Sequence, residues 1–207
     1  MERYFTELAS AFVRGRLDRN DATLEEGLAA GLRLHKFKAA TELPRVHLVL
    51  GMLRGLMPEN LLDVGSGRGT FLWPLLSSFP SLPITSIDIS ERRTIDLASV
   101  RKGGIDRLTV ARMDAQLPGF APKSFDVVTM LEVLEHLPTP QAALRSAVAI
   151  ARRFVLLTVP SVPDSNPEHL HLFRADQLQT MAAEAGGVRT TIEHVLNHRV
   201  VLIRVKS

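Results

Sequence analysis

The pattern of apolar and polar positions changes part-way along the chain. Before Pro58, apolar residues recur every three or four positions, which is the period of amphipathic helices. After Pro58, short runs rich in β-branched residues alternate with helical segments. The N-terminal positions at helical spacing are Tyr4, Phe5, Leu8, Phe12 and Val13, followed by Leu24, Leu28, Leu32 and Leu34. The pattern predicts a helical N-terminal segment followed by an α/β domain.

The second part of the chain contains seven strand-forming runs. These runs are residues 61–64, 84–88, 108–111, 125–130, 154–159, 188–195 and 200–205. Helical segments are expected at 44–57, 70–79, 95–100, 139–151 and 175–185. Such alternation is typical of a mostly parallel sheet with helices on both faces. Because only a short turn at Asn197-His198 separates the last two runs, we expect a hairpin and an antiparallel last strand.

Residues 1–43 are predicted to form a helical extension, and residues 44–207 the main domain. Asp21 or Thr23 is expected to cap the second helix, because acidic residues occupy its first turn. The extension ends in Arg33–Lys38, the densest basic patch of the chain. We interpret this patch as a solvated helix end whose cations favour the helix dipole. The alternative is a segment that attracts an anionic group.

The first predicted strand runs directly into a glycine-rich turn, Asp63-Val64-Gly65-Ser66-Gly67-Arg68-Gly69, and a helix follows. Glycines permit positive φ and let a ligand approach the backbone closely. The start of the helix offers unpaired N–H groups. The G-x-G-x-G spacing differs from the G-x-G-x-x-G of dinucleotide sites, which makes an NAD-dependent oxidoreductase a distant possibility.

This turn resembles the first motif of class I S-adenosylmethionine (SAM)-dependent methyltransferases, acidic-x-G-x-G-x-G. The resemblance implies a Rossmann-like seven-stranded sheet, SAM as cofactor and S-adenosylhomocysteine as product. It also implies that Gly65, Ser66 and Gly67 pass close to the methionine part of SAM. Asp63 would bind the methionine amino group. In this family an N-terminal helical extension often covers the cofactor pocket, which is the role expected for residues 1–43.

Two further groups of cofactor-binding residues are expected after the next strands, because ligands of such sheets bind at the carboxyl ends of the strands. Asp88 ends the second strand, and its carboxylate can accept hydrogen bonds from both ribose hydroxyls. Ser90 is the better helix cap, which would leave Asp88 free. Ile89 would line the adenine pocket. The resemblance adds the three residues after the third strand, Met113, Asp114 and Ala115, with the acid on the adenine amino group.

The fourth strand leads into the pattern E-x-x-E-H at Glu132, Glu135 and His136. The resemblance places Leu131 and Glu132 beside the methionine part of SAM. It places Glu135 and His136 at the substrate cavity as catalytic residues. A histidine, with an ordinary pKa near ~6.5, suits removal of a proton from a hydroxyl group.

A second interpretation of E-x-x-E-H is a divalent cation site. The run resembles that of small-RNA 3′-terminal 2′-O-methyltransferases and of ubiquinone-pathway O-methyltransferases. In this interpretation the three residues are joined by His169 or His171, since these oxygen and nitrogen ligands suit divalent cations. The loop 163–167 departs from the Arg-rich, His-containing segment of the RNA enzymes, which argues against the RNA assignment. Because E-x-x-E-H also occurs widely in members of the resembled family without a metal, we expect no resident metal. The remaining histidines, His35, His47, His194 and His198, show no ligand spacing and are interpreted as ordinary residues.

Composition narrows the possible functions. The 207 residues suffice for one domain with a full core, and the absence of cysteine excludes disulfides and thiolate metal sites. No apolar run approaches the ~20 residues that span a bilayer, and the N-terminus does not resemble a signal peptide, so a cytoplasmic protein is expected. The net charge of +3 indicates a solvated surface more than a nucleic-acid partner.

The sequence therefore predicts a SAM-dependent methyltransferase that transfers a methyl group to an oxygen or nitrogen acceptor, most simply on a small molecule. One alternative is a metal-assisted RNA 2′-O-methyltransferase that uses Glu132, Glu135, His136 and His171. Another is a non-catalytic SAM-binding interaction protein. Neither the methyl acceptor nor the oligomeric state follows from the sequence.

Overall fold

A seven-stranded sheet forms the centre of the protein, seen in a computed structural model that describes residues 5–38 and 43–206. The strands are β1 (Leu61–Val64), β2 (Ile84–Asp88), β3 (Leu108–Arg112), β4 (Phe125–Leu131), β5 (Ala151–Pro160), β6 (Gly187–Val195) and β7 (His198–Val205). The helices are α1 (Thr6–Leu17), α2 (Leu24–Ala29), α3 (Pro44–Leu56), α4 (Leu72–Ser78), α5 (Glu91–Lys102), α6 (Pro140–Ile150) and α7 (Ala175–Glu184).

The strand order is β3-β2-β1-β4-β5-β7-β6. Neighbours from β3 to β5 pair in parallel, whereas β7 pairs antiparallel with both β5 and β6. The predicted fold class, including the antiparallel final hairpin, is confirmed. The direction of strand progression reverses between β1 and β4, and in open α/β sheets this reversal opens a crevice at the carboxyl ends of the strands.

Apolar side chains form one core cluster on each face of the sheet. The first cluster joins residues of α1, α3, α4 and α5 to the sheet. The second joins residues of α6 and α7 to the other face. All four residues of β1 are buried, as expected of a parallel strand covered on both sides. Among the described residues, no helix has the length and apolar character needed to span a membrane.

The N-terminal helices pack directly onto this framework. The guanidinium group of Arg14 on α1 donates two hydrogen bonds, of 3.0 and 2.8 Å, to the carbonyl oxygen of Gly103, which follows α5. The ring of Phe37 lies 5.2 Å from that of Phe12 and 4.8 Å from that of Trp73. Of the expected helical positions, Tyr4 lies outside the described residues. The role of residues 1–43 as a cover over the cofactor stays a prediction.

Two local expectations for the N-terminal segment had different outcomes. Thr23 caps α2 as predicted, and it forms a reciprocal capping box with Glu26. The prediction of one helix continuing to Leu34 was wrong, because α2 ends at Ala29 and Leu34 begins a separate 3-10 helix, Leu34–Phe37. Leu34 and Phe37 are both buried, so tertiary packing places this basic segment against the core instead of at a solvated helix end.

The final hairpin turns one residue earlier than expected. β6 ends at Val195 and β7 begins at His198, so the two-residue turn is Leu196-Asn197. Leu196 adopts a φ of 47°, as the tight turn requires. His198 consequently belongs to a strand, where it pairs with Pro160 at the end of β5. This register brings His198 to the edge of the sheet at which the site lies.

Candidate functional site

A cleft of about 860 Å³ lies at the carboxyl ends of β1, β2, β3 and β4. This volume lies within the ~300–1,000 Å³ that is typical of small-molecule sites. Every cofactor-binding residue predicted from the sequence lines it: Asp63, Gly65, Ser66, Gly67, Asp88, Ile89, Met113, Asp114, Ala115, Leu131 and Glu132. His136 lines it as well. Residues from the ends of four strands thus meet in one cavity.

A buried polar network supports the glycine turn from below. Asp63 pairs in register with Ser86 on β2 and Thr129 on β4, which places the three residues in one row across the sheet. The Thr129 hydroxyl donates to Asp63 Oδ1 at 2.9 Å, and the Ser66 hydroxyl donates to Asp63 Oδ2. Burial raises the pKa of Asp63 to about 6, and the charge of Asp88 also raises it, although both hydroxyl hydrogen bonds favour the ionised form. Asp63 therefore stabilises the glycine turn through Ser66 in addition to lining the cleft.

Asp88 holds the glycine turn to the start of α5. Its Oδ2 accepts the backbone N–H of Gly67 at 2.9 Å, and its Oδ1 accepts that of Ser90 at 2.8 Å. Ser90 does occupy the N-cap position of α5, but its side chain forms no capping hydrogen bond. The expectation that Ser90 would free Asp88 was wrong, since the carboxylate takes over part of the capping. Each carboxylate oxygen can accept a second hydrogen bond, so Asp88 retains the capacity to bind a diol.

The side of the cleft after β3 contains Met113, Asp114 and Ala115, all partly exposed. Oδ1 of Asp114 accepts the backbone N–H of Gln116 at 2.8 Å, which fixes the carboxylate. Within residues 5–38 and 43–206, no side chain or backbone group donates to the other oxygen of Asp114. A fixed carboxylate with one free oxygen beside an apolar side chain suits an amino group on an aromatic ring.

Glu132 lies at the opposite end of the cleft in an unusual backbone conformation. Its φ of 55° is in the left-handed region, which costs free energy for a residue with a side chain. The carboxylate is held by the Thr158 hydroxyl at 2.7 Å and by Nε2 of His198 at 3.1 Å, with Nε of Arg45 3.7 Å away. Burial lowers the pKa of His198, and the positive charge of Arg45 lowers it further, whereas Glu132 raises it. This side chain is therefore fixed by three different elements.

Glu135 does not line the cleft, contrary to the prediction that it faces the substrate cavity. Glu135 is 0% exposed, and the 3-10 helix Leu134–His136 directs its side chain inward. Neither carboxylate oxygen has a hydrogen-bond partner among the described residues. Burial raises the pKa of Glu135 to about 8, with a further rise from the charge of Glu132. The carboxyl group is thus protonated near neutral pH.

His136 does line the cleft, and its ring orientation is fixed. Nδ1 lies 3.0 Å from the carbonyl oxygen of Glu168, which can only accept, so Nδ1 carries the proton and Nε2 can act as a base. The ring of His169 packs 4.7 Å from that of His136, centroid to centroid. Nδ1 of His169 lies 2.9 Å from Oδ2 of Asp164, which fixes this ring in the same manner. The cleft therefore presents two oriented imidazoles.

The predicted metal set of Glu132, Glu135, His136 and His171 does not come together as a unit. Among the described residues, the ligand atoms of Glu135, His136 and His169 lie within 4.8 Å of one another. His171 instead directs Nε2 to the carbonyl oxygen of Leu137 at 2.9 Å. Glu132 pairs with His198, a histidine interpreted from the sequence as ordinary. Of the two histidines considered for the fourth position, His169 is the one beside Glu135 and His136.

Sequence reasoning missed two residues of the site, Arg45 and His198. Arg45 follows Pro44 at the start of α3, and it lines the cleft. No motif marks either residue, because each reaches Glu132 only through the packing of a distant element. The only available signal for His198 was its position in the final hairpin, and the turn had been placed one residue too late.

Comparison with known proteins confirms the class of the domain. A family model described as a methyltransferase domain matches residues 62–153, which include the glycine turn, Asp88, Asp114 and His136. The match extends over a little under half of the chain, and this segment is similar to the methyltransferase domain family. The predicted resemblance to class I SAM-dependent methyltransferases, with SAM as cofactor, is confirmed.

The methyltransferase domain has curated relatives of modest identity. It is 31% identical over 102 residues to a ubiquinone biosynthesis O-methyltransferase of Bordetella parapertussis, covering 47% of this chain and 40% of that protein. It is 27% identical over 159 residues to the enzyme of the same name from Chromobacterium violaceum, covering 64% of this chain and 66% of that protein. The chain thus spans about two fifths of the first relative and just under two thirds of the second.

Solved structures show the same fold. A magnesium protoporphyrin IX methyltransferase of Synechocystis, with bound S-adenosylhomocysteine, superposes with a TM-score of 0.60 at 18% identity, covering 78% of this chain and 82% of that one. The [4+2]-cyclase SpnF superposes with a TM-score of 0.61 at 17% identity, covering 77% and 81%. Because a protein named as a cyclase shares the fold, the fold of a methyltransferase domain does not by itself determine the reaction.

The cleft of the methyltransferase domain fits SAM in two respects that the structure shows directly. Gly67 lines the cleft with a φ of 57°, and a Cβ built there would meet only the carbonyl oxygen of Gly65, at 3.7 Å. A side chain at this position would therefore project into free space, which indicates a backbone that a ligand approaches. Acids suited to a diol and to an aromatic amino group, Asp88 and Asp114, lie on the same wall.

Proposed function

We propose that the protein is a SAM-dependent O-methyltransferase whose acceptor is a hydroxyl group of a small molecule. The observation that carries the proposal is one continuous cleft, which holds the predicted cofactor residues at one end and the Nε2 base of His136 at the other. A cofactor and an acceptor bound in the same cleft can meet without passing through solvent. The names of the curated relatives support oxygen as the acceptor atom.

The cofactor would be held along the first three strands of the sheet. Asp88 would accept the ribose hydroxyls, Asp114 would accept the adenine amino group through its free oxygen, and Met113 and Ile89 would line the ring. The turn 65–67 would face the methionine part, with Asp63 on its amino group. When bound, SAM supplies an electrophilic methyl group on a sulfonium, so the protein mainly has to align the acceptor.

His136 would remove the proton of the acceptor hydroxyl. Its Nδ1–H donates to the carbonyl oxygen of Glu168, so in the neutral ring Nε2 is the nitrogen with the free lone pair, directed away from that contact. His169, oriented by Asp164, would stabilise the charge that forms on His136 or bind the acceptor. General-base assistance of this kind contributes on the order of 10²–10⁴ in rate.

The cofactor part of the proposal is tested by calorimetric titration with S-adenosylhomocysteine. We expect saturable 1:1 binding by the native chain and about tenfold or more weaker binding by Asp114→Asn. Asp176→Asn is the matched control, because this exposed acid on α7 lies outside the cleft and pairs with Arg174. Absence of binding by the native chain would overturn the proposal.

The catalytic part is tested by measuring S-adenosylhomocysteine release with a panel of phenols, aliphatic alcohols and amines. His136→Asn should lower turnover about a hundredfold or more with the affinity for S-adenosylhomocysteine unchanged. His194→Asn, an exposed histidine on β6, should leave turnover unchanged. Turnover confined to amines, or unaffected by His136→Asn, would contradict a hydroxyl acceptor activated by this residue.

A divalent cation at Glu135, His136 and His169 is a second candidate for the acceptor end. It is favoured by one observation, the buried carboxylate of Glu135 without any partner beside two imidazoles whose Nδ1 atoms are already held by oxygens. Titration of the chelator-treated chain with Zn²⁺ or Mg²⁺ separates the two cases. Stoichiometric binding that is lost in His169→Ala, with turnover restored by the metal, would favour the cation over an unaided base.

A further inference from the structure

A second cleft, which adjoins the cofactor cleft, lies between the N-terminal helices and α5. Its volume is about 900 Å³. Apolar side chains of Phe12, Trp73 and Leu97, all buried, form part of its lining. Its polar lining is unusually basic, and the cationic residues are Arg16, Arg33, Lys36, Arg68, Arg92 and Arg93. Nothing in the methyltransferase domain's predicted chemistry uses this cleft.

Most of the positive charge in this cleft has no ion-pair partner among the residues that the structure describes. The two acids of the lining are already paired, Asp96 with Lys36 at 2.6 Å and Glu91 with Arg112 at 3.6 Å. Arg93 lies 3.7 Å from the buried Asp88. Arginines 16, 33, 68 and 92 form no ion pair with any residue in the described ranges 5–38 and 43–206, and all four are exposed. The second cleft thus contains four arginines whose charge no described residue neutralises.

The electrostatic interaction between these cations shows that they share one environment. The pKa of Lys36 is lowered, first by burial and then by the positive charges of Arg16 and Arg92, although its ion pair with Asp96 opposes this. Its ammonium group also lies 4.0 Å from the ring centroid of Phe12. Arginines from α1 and from the start of α5 therefore repel a lysine of the 3-10 helix between them. A bound anion would relieve this repulsion.

We propose that the second cleft binds the phosphate groups of a phosphorylated small molecule. Guanidinium groups bind phosphate oxygens through paired N–H donors, and several converging on one cavity match a multiply charged anion. A concave cleft with an apolar floor suits a compact ligand with a non-polar part, whereas an extended nucleic-acid strand is bound by a groove that follows its backbone. Phosphate is therefore favoured as part of a small molecule.

The second cleft adjoins the cofactor cleft, and the two share Gly67, Arg68, Ser90 and Arg93 in their walls. Arg68 is exposed and lines both clefts. The proposal does not rest on methyl transfer, because the cations of the second cleft are present whether or not SAM is bound. Its test can accordingly succeed or fail independently of the proposed function.

The test is calorimetric titration of the full chain with inorganic pyrophosphate, without SAM. We expect saturable 1:1 binding that weakens with added salt, since the attraction between charges is screened. The double variant Arg16→Gln/Arg92→Gln should bind at least about tenfold more weakly. The matched control is Arg101→Gln/Arg189→Gln, which removes two exposed arginines that line neither cleft and should change the affinity less than twofold.

Three outcomes would overturn the proposal. The first is that pyrophosphate fails to saturate the native chain. The second is that the control variant loses as much affinity as the cleft variant, which would indicate non-specific attraction. A single-stranded oligoribonucleotide that bound the cleft more tightly than pyrophosphate at equal phosphate concentration would assign the cations to RNA. Unchanged binding of S-adenosylhomocysteine in the cleft variant shows that it is folded, so a lost pyrophosphate signal is then specific.

Discussion

The two ends of the cofactor cleft differ in how completely their acids are satisfied. At the glycine-turn end, Asp63 accepts hydrogen bonds from two hydroxyls, and Asp88 accepts two from backbone N–H groups. At the other end, Glu132 lines the cleft with a strained φ. Glu135, close to this end but outside the cleft lining, is buried without a hydrogen-bond partner among the described residues. Satisfied groups stabilise a fixed backbone, whereas uncompensated groups and strain are typical of sites at which chemistry occurs. We therefore propose that the first end binds the cofactor rigidly and that the reaction occurs at the second.

The largest expected effect comes from a substitution in the glycine turn, at the rigid end of the cleft. A Cβ at Gly69, where φ is 84°, would lie 2.0 Å from Cε2 of Trp73. Trp73 cannot move away easily, because it is 2% exposed and its indole N–H donates to the carbonyl oxygen of Arg68 at 3.1 Å. Gly69→Ala should lower the free energy of unfolding by at least about 3 kcal/mol, measured by urea denaturation.

The control for this variant is Gly51→Ala. Gly51 lies within α3, and a Cβ there would meet nothing within 4 Å. Alanine should therefore stabilise the protein by about 0.5–1 kcal/mol. If the two variants changed stability equally, the glycine turn would not be the rigid element that the comparison requires.

The next effect concerns the unsatisfied end and depends on pH. The folded-state pKa of Glu135 is about 8, well above its ordinary value of 4.5. The folded protein therefore holds a proton that the unfolded chain releases, and stability falls as pH rises from about 4.5 to about 8. The Glu135→Gln variant has no ionisable group at this position, so this loss of stability with rising pH is absent from it. Relative to the native chain, it should gain on the order of 3 kcal/mol or more between pH 5 and pH 9.

This difference is measured by thermal unfolding across that pH range in the presence of a chelator. Glu184→Gln, at an exposed position on α7, is the control and should follow the native profile. Parallel profiles of Glu135→Gln and the native chain would show that Glu135 ionises normally, and the contrast between the two ends would then disappear.

The smallest expected effect concerns the contact between His198 and Glu132. His198→Ala removes the 3.1 Å contact to one carboxylate oxygen, while Thr158 still donates to the other. Because Glu132 is partly exposed, water can replace the lost partner. The free energy of unfolding, measured by urea denaturation, should therefore fall by about 1 kcal/mol. His194→Ala, on the exposed face of the same hairpin, should cost less than about 0.5 kcal/mol. Equal costs would mean that the pairing with Glu132 adds nothing to stability.

The predictions from sequence succeeded where a local pattern reports directly on structure. The glycine turn and the capping of α2 by Thr23 depend on residues adjacent in the chain, and both are present as expected. All seven predicted strands are present as well, although β5 begins at Ala151 and β7 at His198, earlier than expected. The acids that follow the strands meet in one cleft because parallel strands bring their carboxyl ends to one edge of the sheet. The individual roles of these acids in binding SAM stay predictions.

The predictions failed where the position of a side chain depends on distant packing. Adjacent residues of a 3-10 helix point in different directions, so the sequence could not show that Glu135 turns into the core while His136 lines the cleft. Likewise, nothing local indicates that Asp88 takes over part of the capping of α5 from Ser90.

By itself, the sequence determined the fold class of the protein, because the hydrophobic periodicity and the glycine turn after a buried strand are encoded by neighbouring residues. Only the tertiary structure decided which groups meet across the sheet. The register of β7 against β5 brings His198 to Glu132, and the packing of α1 on α5 brings Arg16 near Lys36 and Arg92. Such contacts join residues far apart in the chain, and their distances follow from how complete elements pack.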